Sequence, residues 1–544
     1  MVAYACVLGI GVALAVVALL IGHFTDFYSV DGDAKYLAAL NLARHFPNAA
    51  ISYPYAAHDP LGRFTLPLTA WYGGHDYAGY SLPFEMISGL AVAALGSAGL
   101  VLPPVVATVL LLVVQLQLAS LLGLRSQRAL IALFTVATTP VLFYAVSFWE
   151  HTWGVALFTG GLAALVAAAS DESRPRWLSA GAGLLLAGGV FMRRETIIPA
   201  GIALLMVPLL FRNRHAVVTA AAAFGALAAP LVVVMLLHPQ PLTVGLTHAS
   251  PGRAAVGVTA GVSKLHKLQW LLAGGYATGI FALFTGLLLA ARRFRPRWMP
   301  VIFATGGIFS SIAFIFELLT HYTFADENPL AFCPLALWGI WSVFFVKKDA
   351  PARDLQILLW IIATAGAGAI ALIAYDDGGA QWGPRYLLFA FPLLILLAFR
   401  ARQTILDGAH GGVMRRVIGY GFVGVVSLSV FLQGLSLLGL EVKQNLAATA
   451  ITRVEALHPG VVVSAVPVID VFAPYYYSGL YLYAPAPGAL NHLMGTLRSE
   501  GYHRVVMLCD PVDPCSWNGY PGWRHERVHS VHHIVRYALF TTHT

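Results

Sequence analysis

The amino-acid sequence predicts an α-helical polytopic membrane protein of about thirteen transmembrane helices, followed by a small α/β domain outside the bilayer. Three observations predict it. Of 544 residues, 58% are hydrophobic and only 11% charged, with a mean hydropathy of +0.74, whereas a soluble globular chain carries about 25% charged residues. Apolar runs close to the roughly 20 residues needed to cross a bilayer recur along most of the chain. Residues 441–544 then change character, to short β-rich and amphipathic stretches.

The runs lie near 4–22, 104–124, 129–148, 153–169, 177–191, 196–211, 216–237, 270–291, 299–319, 330–346, 355–375, 386–400 and 417–440. No small-residue cleavage site follows the first, so it is expected to stay as a transmembrane helix rather than leave as a signal peptide. The stretch 81–98, "SLPFEMISGLAVAALGSA", carries Pro83 and Glu85 near its start and is expected to be an interfacial helix. The tail reads as two buried strands, "GVVVSAV" and "RVVMLCD", with the amphipathic helix "GALNHLMGTLRSEGYH" between them and the strand-rich "ERVHSVHHIVRYALFTT" after. The division is therefore 1–440 as the membrane domain, with a first outer loop at 23–98, and 441–544 as an extracytoplasmic domain.

Charge sets the orientation, because Lys and Arg concentrate in short cytoplasmic loops. With the N-terminus inside, the inner loops hold Arg125 and Arg128, Arg174 and Arg176, Arg212 and Arg214, and four arginines between 292 and 297. They also hold Lys347, Lys348, Arg353, Arg400, Arg402, Arg415 and Arg416. This accounts for the net charge of +8 without any nucleic-acid partner. It implies a multi-pass protein of the cytoplasmic (inner) membrane, with a cytoplasmic N-terminus and the C-terminal domain outside. Glu85, Glu150, His151, Arg193, Arg194, Glu195, Glu317, His321, Asp326, Glu327, Asp376, Asp377 and Arg385 then fall at or near outer helix ends. Desolvating such groups is expensive, so their gathering at one face suggests a polar cavity there.

Four outer stretches carry chemistry. In "YSVDGDAKYLAALNLARHF", Asp31 and Asp33 open a helix with Tyr36, Leu37, Leu40 and Ala43 on one face, expected to lie flat on the membrane. Either aspartate can cap that helix by accepting from free backbone amides. In "SFWEHTWG", a short turn pins Glu150 and His151 at the membrane surface. In "GVFMRRETIIPAG", Arg193 and Arg194 interrupt an apolar run and suit an anionic headgroup. In "YDDGGAQWGPRYLLFAFP", Arg385 enters a late span at its outer end, and its planar donor fork suits phosphate.

Other motifs are missing. The chain has no Walker A loop, no HExxH, no GxSxG and no CxxC pair. His58 with Asp59, and His75 with Asp76, match no strong ligand spacing; no cofactor is expected, and a divalent ion there is the minority reading. His529, His532 and His533 read as surface residues of a strand. Cys6 and Cys333 lie in apolar runs, while Cys509 and Cys515 could pair in an oxidising compartment.

The ordered set of features resembles the membrane-embedded GT-C glycosyltransferases, in the branch with protein O-mannosyltransferases and aminoarabinose transferases. "DGDAKYLAALNLARHF" resembles the family's acidic first-loop motif with its surface helix, and "YSLPFEMISGLAVAALG" its Pro-rich entry into the second span. "LFYAVSFWEHTWGVALF" is similar to the second acidic site, "LAGGVFMRRETIIPAGIALL" to the basic site, and "QWGPRYLLFAFPLLILL" to a late segment of bacterial members. The likeness covers roughly residues 1–400. It implies an inverting transfer, on the outer face, of a hexosyl or pentosyl group from a polyprenyl-phosphate-sugar donor to an acceptor hydroxyl on a glycan, lipid or protein. Asp33 or Asp31 would be the general base. Arg193, Arg194 and Arg385 would bind the leaving phosphate, and Glu150, His151, Glu195, Tyr36 and His58 would contact substrate. Family members often show Asp-Glu where this chain has Asp-Gly-Asp, so both aspartates stand, with Asp33 favoured for its spacing to Tyr36. The rival function is a transporter or flippase of a lipid-linked sugar. The odd number of spans, the lack of visible inverted repeats and the long first loop weigh against it.

Overall fold

The computed structural model describes the chain apart from residues 1, 23–29, 52, 66–68, 79–80, 172, 212, 238–274, 295, 321–328, 351, 374–383, 410, 465–479, 485–486, 510–519, 532–534 and 543–544. In chain order its helices are α1 (Val2–Ile21), α2 (Val30–His45), α3 (Leu82–Leu95), α4 (Leu102–Leu121), α5 (Arg128–Ala137) and α6 (Val141–Val146). Then come α7 (His151–Ser170), α8 (Arg176–Met192), α9 (Ile197–Leu210), α10 (Arg214–Leu237), α11 (Gly275–Phe294) and α12 (Met299–Thr320). The last are α13 (Pro329–Phe332), α14 (Pro334–Trp341), α15 (Arg353–Ile373), α16 (Ala390–Gly408), α17 (Gly412–Glu455) and α18 (Pro487–Ser499). Among the described residues seven helices are long and apolar enough to cross a membrane, a count that runs 82–121 together as one.

Proline explains two departures from the apolar runs. The run 129–148 is two helices, because Pro140 stands between α5 and α6 and brings no backbone N–H to continue the ladder. Within 330–346, Pro334 likewise restarts the chain as α14 after the four residues of α13. The run 81–98 forms α3, which a short 3-10 turn (Gly96–Val101) joins to α4. At the other end, α17 does not stop at 440 but runs 44 residues to Glu455.

The chain packs into two compact units. The first holds Met1–Val17, Pro104–Leu231 and Pro251–Leu437; the second holds Ala18–Pro103, Val232–Ser250 and Leu438–Thr544. The first outer loop and the residues after 437 thus fall in one unit.

In the first unit, α7 and α8 approach closely through glycines. A Cβ on Gly161 would meet the Ala182 carbonyl oxygen at 2.9 Å, and one on Gly189 would meet the Phe158 nitrogen at 3.2 Å. Two helices can come this close only where small residues line the interface.

Among the described residues the second unit holds two sheets. β1 (Ala50–Ile51), β2 (Thr69–Tyr72) and β3 (His75–Ala78) form an antiparallel set in the order β1-β3-β2. β4 (Val461–Ser464), β5 (Leu480–Tyr483), β6 (Arg504–Cys509), β7 (Trp523–Val531) and β8 (Val535–Thr542) make a mixed sheet ordered β5-β4-β6-β8-β7. Its strands β5, β4 and β6 run parallel, and β8 and β7 add antiparallel. The strands and helix expected of the tail are therefore present, with α18 between β5 and β6. One core joins Leu37 and Ala38 of α2 and Tyr53, Tyr55 and Phe64 of the loop to Ala450, Val462, Leu493 and Val506.

The helix expected to lie flat on the membrane is consequently buried on more than one face. Residues 34 to 39, Lys35 and Tyr36 among them, are all buried. On one side Gly89 of α3 allows close approach, since a Cβ there would meet Leu42 at 2.7 Å and the Ala39 carbonyl at 3.2 Å. On another, Leu37 and Ala38 enter the core shared with the C-terminal strands.

Candidate functional site

In the first unit the second acidic stretch and the basic stretch meet. Glu150 is the N-cap residue of α7, and its side chain is 2% exposed. Arg193 ends α8 as its C-cap, its amide donating to the Gly189 carbonyl at 2.8 Å. Gly154, one turn into α7, makes the meeting of the two ends feasible, because a Cβ there would press on Arg193 Cβ at 2.7 Å and Cγ at 2.8 Å. Arg193 Nη1 then donates to Glu150 Oε1 at 2.8 Å, and Nε donates to Glu195 Oε1 at 2.7 Å. Burial opposes the Arg193 charge, but Glu195 and Glu150 outweigh it and hold its pKa above the usual arginine range. Arg194 has the reverse balance: burial first, then Arg193 beside it, pushes it down to about 10.

The late segment adds Arg385 and Tyr386. Arg385 Nη2 donates to the Tyr386 hydroxyl oxygen at 2.7 Å, and its guanidinium lies 4.7 Å from that ring's centroid. The Arg193 guanidinium lies 5.7 Å from the same ring. Tyr386 is thus flanked by two arginines whose charges it tempers through its π face. His151 is 1% exposed, stacked on Tyr144 at 4.7 Å and near Trp149 at 5.1 Å. A narrow cleft opens among them, lined by His151, Arg193, Glu195, Thr196, Arg385 and Tyr386 together with apolar neighbours. Among the described residues, three arginines stand here with two carboxylates.

The sequence-predicted residues of this unit, Glu150, His151, Arg193, Arg194, Glu195 and Arg385, therefore fall within one neighbourhood. Tyr386 and Tyr144 escaped the sequence reading. The one available signal was an aromatic next to a predicted arginine or a few residues from a predicted histidine, which is too common to single out.

The remaining predicted residues belong to the second unit. Asp31 and Asp33 lie on the first turn of α2, and their side chains are outside the described residues. Tyr36 is buried at 8% exposure. His58 Nδ1 sits 2.9 Å from Glu500 Oε1 and its ring stacks on Tyr55 at 5.2 Å; the Tyr55 hydroxyl donates to the same carboxylate at 3.0 Å. Asp59 accepts from the Tyr53 hydroxyl at 2.9 Å and from the Phe64 amide at 2.8 Å. Burial pushes the Tyr53 and Tyr55 phenols up, and the neighbouring Asp59 and Glu500 add to it. The Glu500 contacts fasten the loop to the C-terminal residues, and the Asp59 bonds tie the loop to itself. Among the described residues no group of three His, Cys, Asp or Glu could hold a metal ion. Cys6 and Cys333 are free, and Cys509 is disulfide-bonded. Cys515, His321, Asp326, Glu327, Asp376, Asp377, His532 and His533 lie outside the described residues.

A family model described as a domain of unknown function, DUF4386, matches residues 176–346. No curated protein matches the chain. Among solved structures, ArnT from Cupriavidus metallidurans bound to undecaprenyl phosphate aligns with 98% of this chain and 97% of its own, at 11% identity and a TM-score of 0.53. The same protein in the apo state gives 12% identity, the same coverage and 0.54. An oligosaccharyltransferase from Archaeoglobus fulgidus, tethered with an acceptor peptide, covers 93% of this chain and 69% of its own, at 12% identity and a TM-score of 0.44. At such identities the likeness to ArnT is one of fold, and it runs nearly end to end: the chain is a multi-pass membrane protein with the fold of ArnT.

Proposed function

We propose that this protein is an inverting glycosyltransferase of the cytoplasmic membrane, acting on its outer face. It moves a hexosyl or pentosyl group from a polyprenyl-phosphate-sugar to an acceptor hydroxyl on a glycan, a lipid or a protein. The observation that carries the reading is the end-to-end fold likeness to a protein crystallised with undecaprenyl phosphate. The partly buried, arginine-rich neighbourhood of Arg193 and Arg385 supports it.

In this reading an aspartate at the start of α2, Asp33 ahead of Asp31, takes the proton of the acceptor hydroxyl as that oxygen attacks the anomeric carbon. The bond from that carbon to the phosphate oxygen breaks on the opposite side, and the lipid phosphate leaves with the electron pair. Charge developing on the leaving phosphate falls to Arg193, Arg194 and Arg385. Glu150 and Glu195 keep Arg193 in place. His151, inside its aromatic box, closes one wall of the substrate pocket. Tyr36 and His58 belong to the acceptor side of the reading, at the first loop.

The test is transfer from labelled polyprenyl-phosphate sugars by full-length protein in liposomes. Wild type should transfer, and Asp33→Asn should lose about 10²–10⁴-fold of the rate, the usual worth of a positioned base. Full transfer by both Asp33→Asn and Asp31→Asn would remove the base assignment. No transfer from any such donor, with lipid moved across the bilayer instead, would make the protein a flippase. A chelator arm reads metal dependence directly.

A further inference from the structure

Elsewhere in the first unit, the segments around the starts of α5 and α17 and the last turns of α16 gather arginines for which the transfer reaction has no use. Gln127, just before α5, donates from Nε2 to Gln403 Oε1 on α16 at 3.4 Å. Arg125 and Arg128 flank the first of these glutamines, and Arg400 and Arg402 lie within a turn of the second. Phe134 of α5, Phe399 of α16 and Phe422 of α17 pack together beneath them, with ring centroids 5.3–6.2 Å apart. The Arg402 guanidinium lies 4.8 Å from the Phe422 centroid. Arg128 folds back on the Arg125 carbonyl and the Ser120 hydroxyl. Arg415 and Arg416, both exposed, open α17.

None of these six arginines forms an ion pair among the described residues. The Nε atoms of Arg400 and Arg402 are moreover buried without a hydrogen-bond partner. Positive charge at one end of a membrane protein serves orientation, but that job needs neither convergence nor buried donors. A buried charged donor is unfavourable unless something accepts from it. The flanks of the same helices are apolar and exposed, at Leu130 and Leu133 on α5 and at Tyr420 and Val423 on α17. A phosphate held by the arginines would thus have surface for acyl chains beside it, which a soluble anion would not need.

We infer that the ends of α5, α16 and α17 form a binding site for the phosphodiester headgroup of an anionic phospholipid, in the leaflet facing these loops. Basic pockets between membrane helices recognise such headgroups by charge and by the arginine fork.

The site is tested on purified full-length protein in neutral detergent, by native mass spectrometry and thermal melting with phosphatidylglycerol, phosphatidylcholine or inorganic phosphate. Phosphatidylglycerol should stay bound and raise the melting midpoint, while phosphatidylcholine and phosphate should not. Combining Arg400→Gln with Arg402→Gln should weaken phosphatidylglycerol about 30-fold, from the usual worth of two such charges. Arg174→Gln, at an exposed arginine paired with Asp171, should bind as wild type. If the double variant does not fold, Arg402→Lys keeps the charge, loses the fork, and should still bind more weakly. Equal binding of both lipids, equal stabilisation by phosphate alone, or undiminished binding by the variants would overturn the inference.

Discussion

Arg193 shows how a buried cation is made tolerable. Its side chain is 13% exposed, and the guanidinium divides its donors between Glu150, itself 2% exposed, and Glu195, 15% exposed. Removing one member of a buried ion group leaves the others uncompensated, and the penalty follows how deeply they lie. Arg193→Gln strands two carboxylates and should be the most destabilising of the three neutral variants, by about 3–5 kcal/mol. Glu150→Gln should come next, because Glu195 still answers the arginine, and Glu195→Gln should be mildest. Unfolding midpoints of the three purified variants check the order; an equal effect from all three would mean that no shared group exists. The residue types were legible in the sequence, since charges that interrupt apolar runs stand out. Their pairing was not. Positions 150 and 193 are 43 residues apart, and no local spacing tells which of several charges face one another once two helices pack.

Between elements, the packing of α7 on α8 is what lets this group form. Gly154 leaves the gap through which the Arg193 side chain crosses α7. Gly154→Ala adds a methyl against the arginine stem and should cost about 1–3 kcal/mol by overpacking. It should also lower transfer, through displacement of Arg193 rather than loss of any charge. Combining Gly154→Ala with Glu150→Gln should then be less damaging than the sum of the two single changes, as a double-mutant cycle would read. At this scale the apolar runs mark where helices are, because hydropathy is a property of each segment alone. They fail where one residue acts on the backbone. Pro140 and Pro334 divide runs that hydropathy sees as continuous.

For the molecule as a whole, the linear order of the chain is a poor guide to its units. The break in composition near 440 is visible in the sequence, and so are the strands and helix that follow it. The partner of those strands is not, because Tyr53, Tyr55 and Phe64 are ordinary loop aromatics until the tail is packed on them. The Tyr483 amide donates to the Phe64 carbonyl at 3.0 Å, and the Tyr55 hydroxyl reaches Glu500. Deleting residues 456–544 should therefore leave the first loop without its core. Limited proteolysis of membranes should then cut within residues 30–78, where the full chain resists, and transfer should be lost even though every residue named in the reaction is retained.

The same shared core has a consequence for biogenesis. The ribosome delivers α2 and its loop well before Val462 and Val506, with which they share a core. That loop must wait, half-clothed, until those strands have been made. The aspartate-bearing helix can then settle only on a finished protein, so a nascent or prematurely terminated chain would present the membrane with no assembled first loop at all.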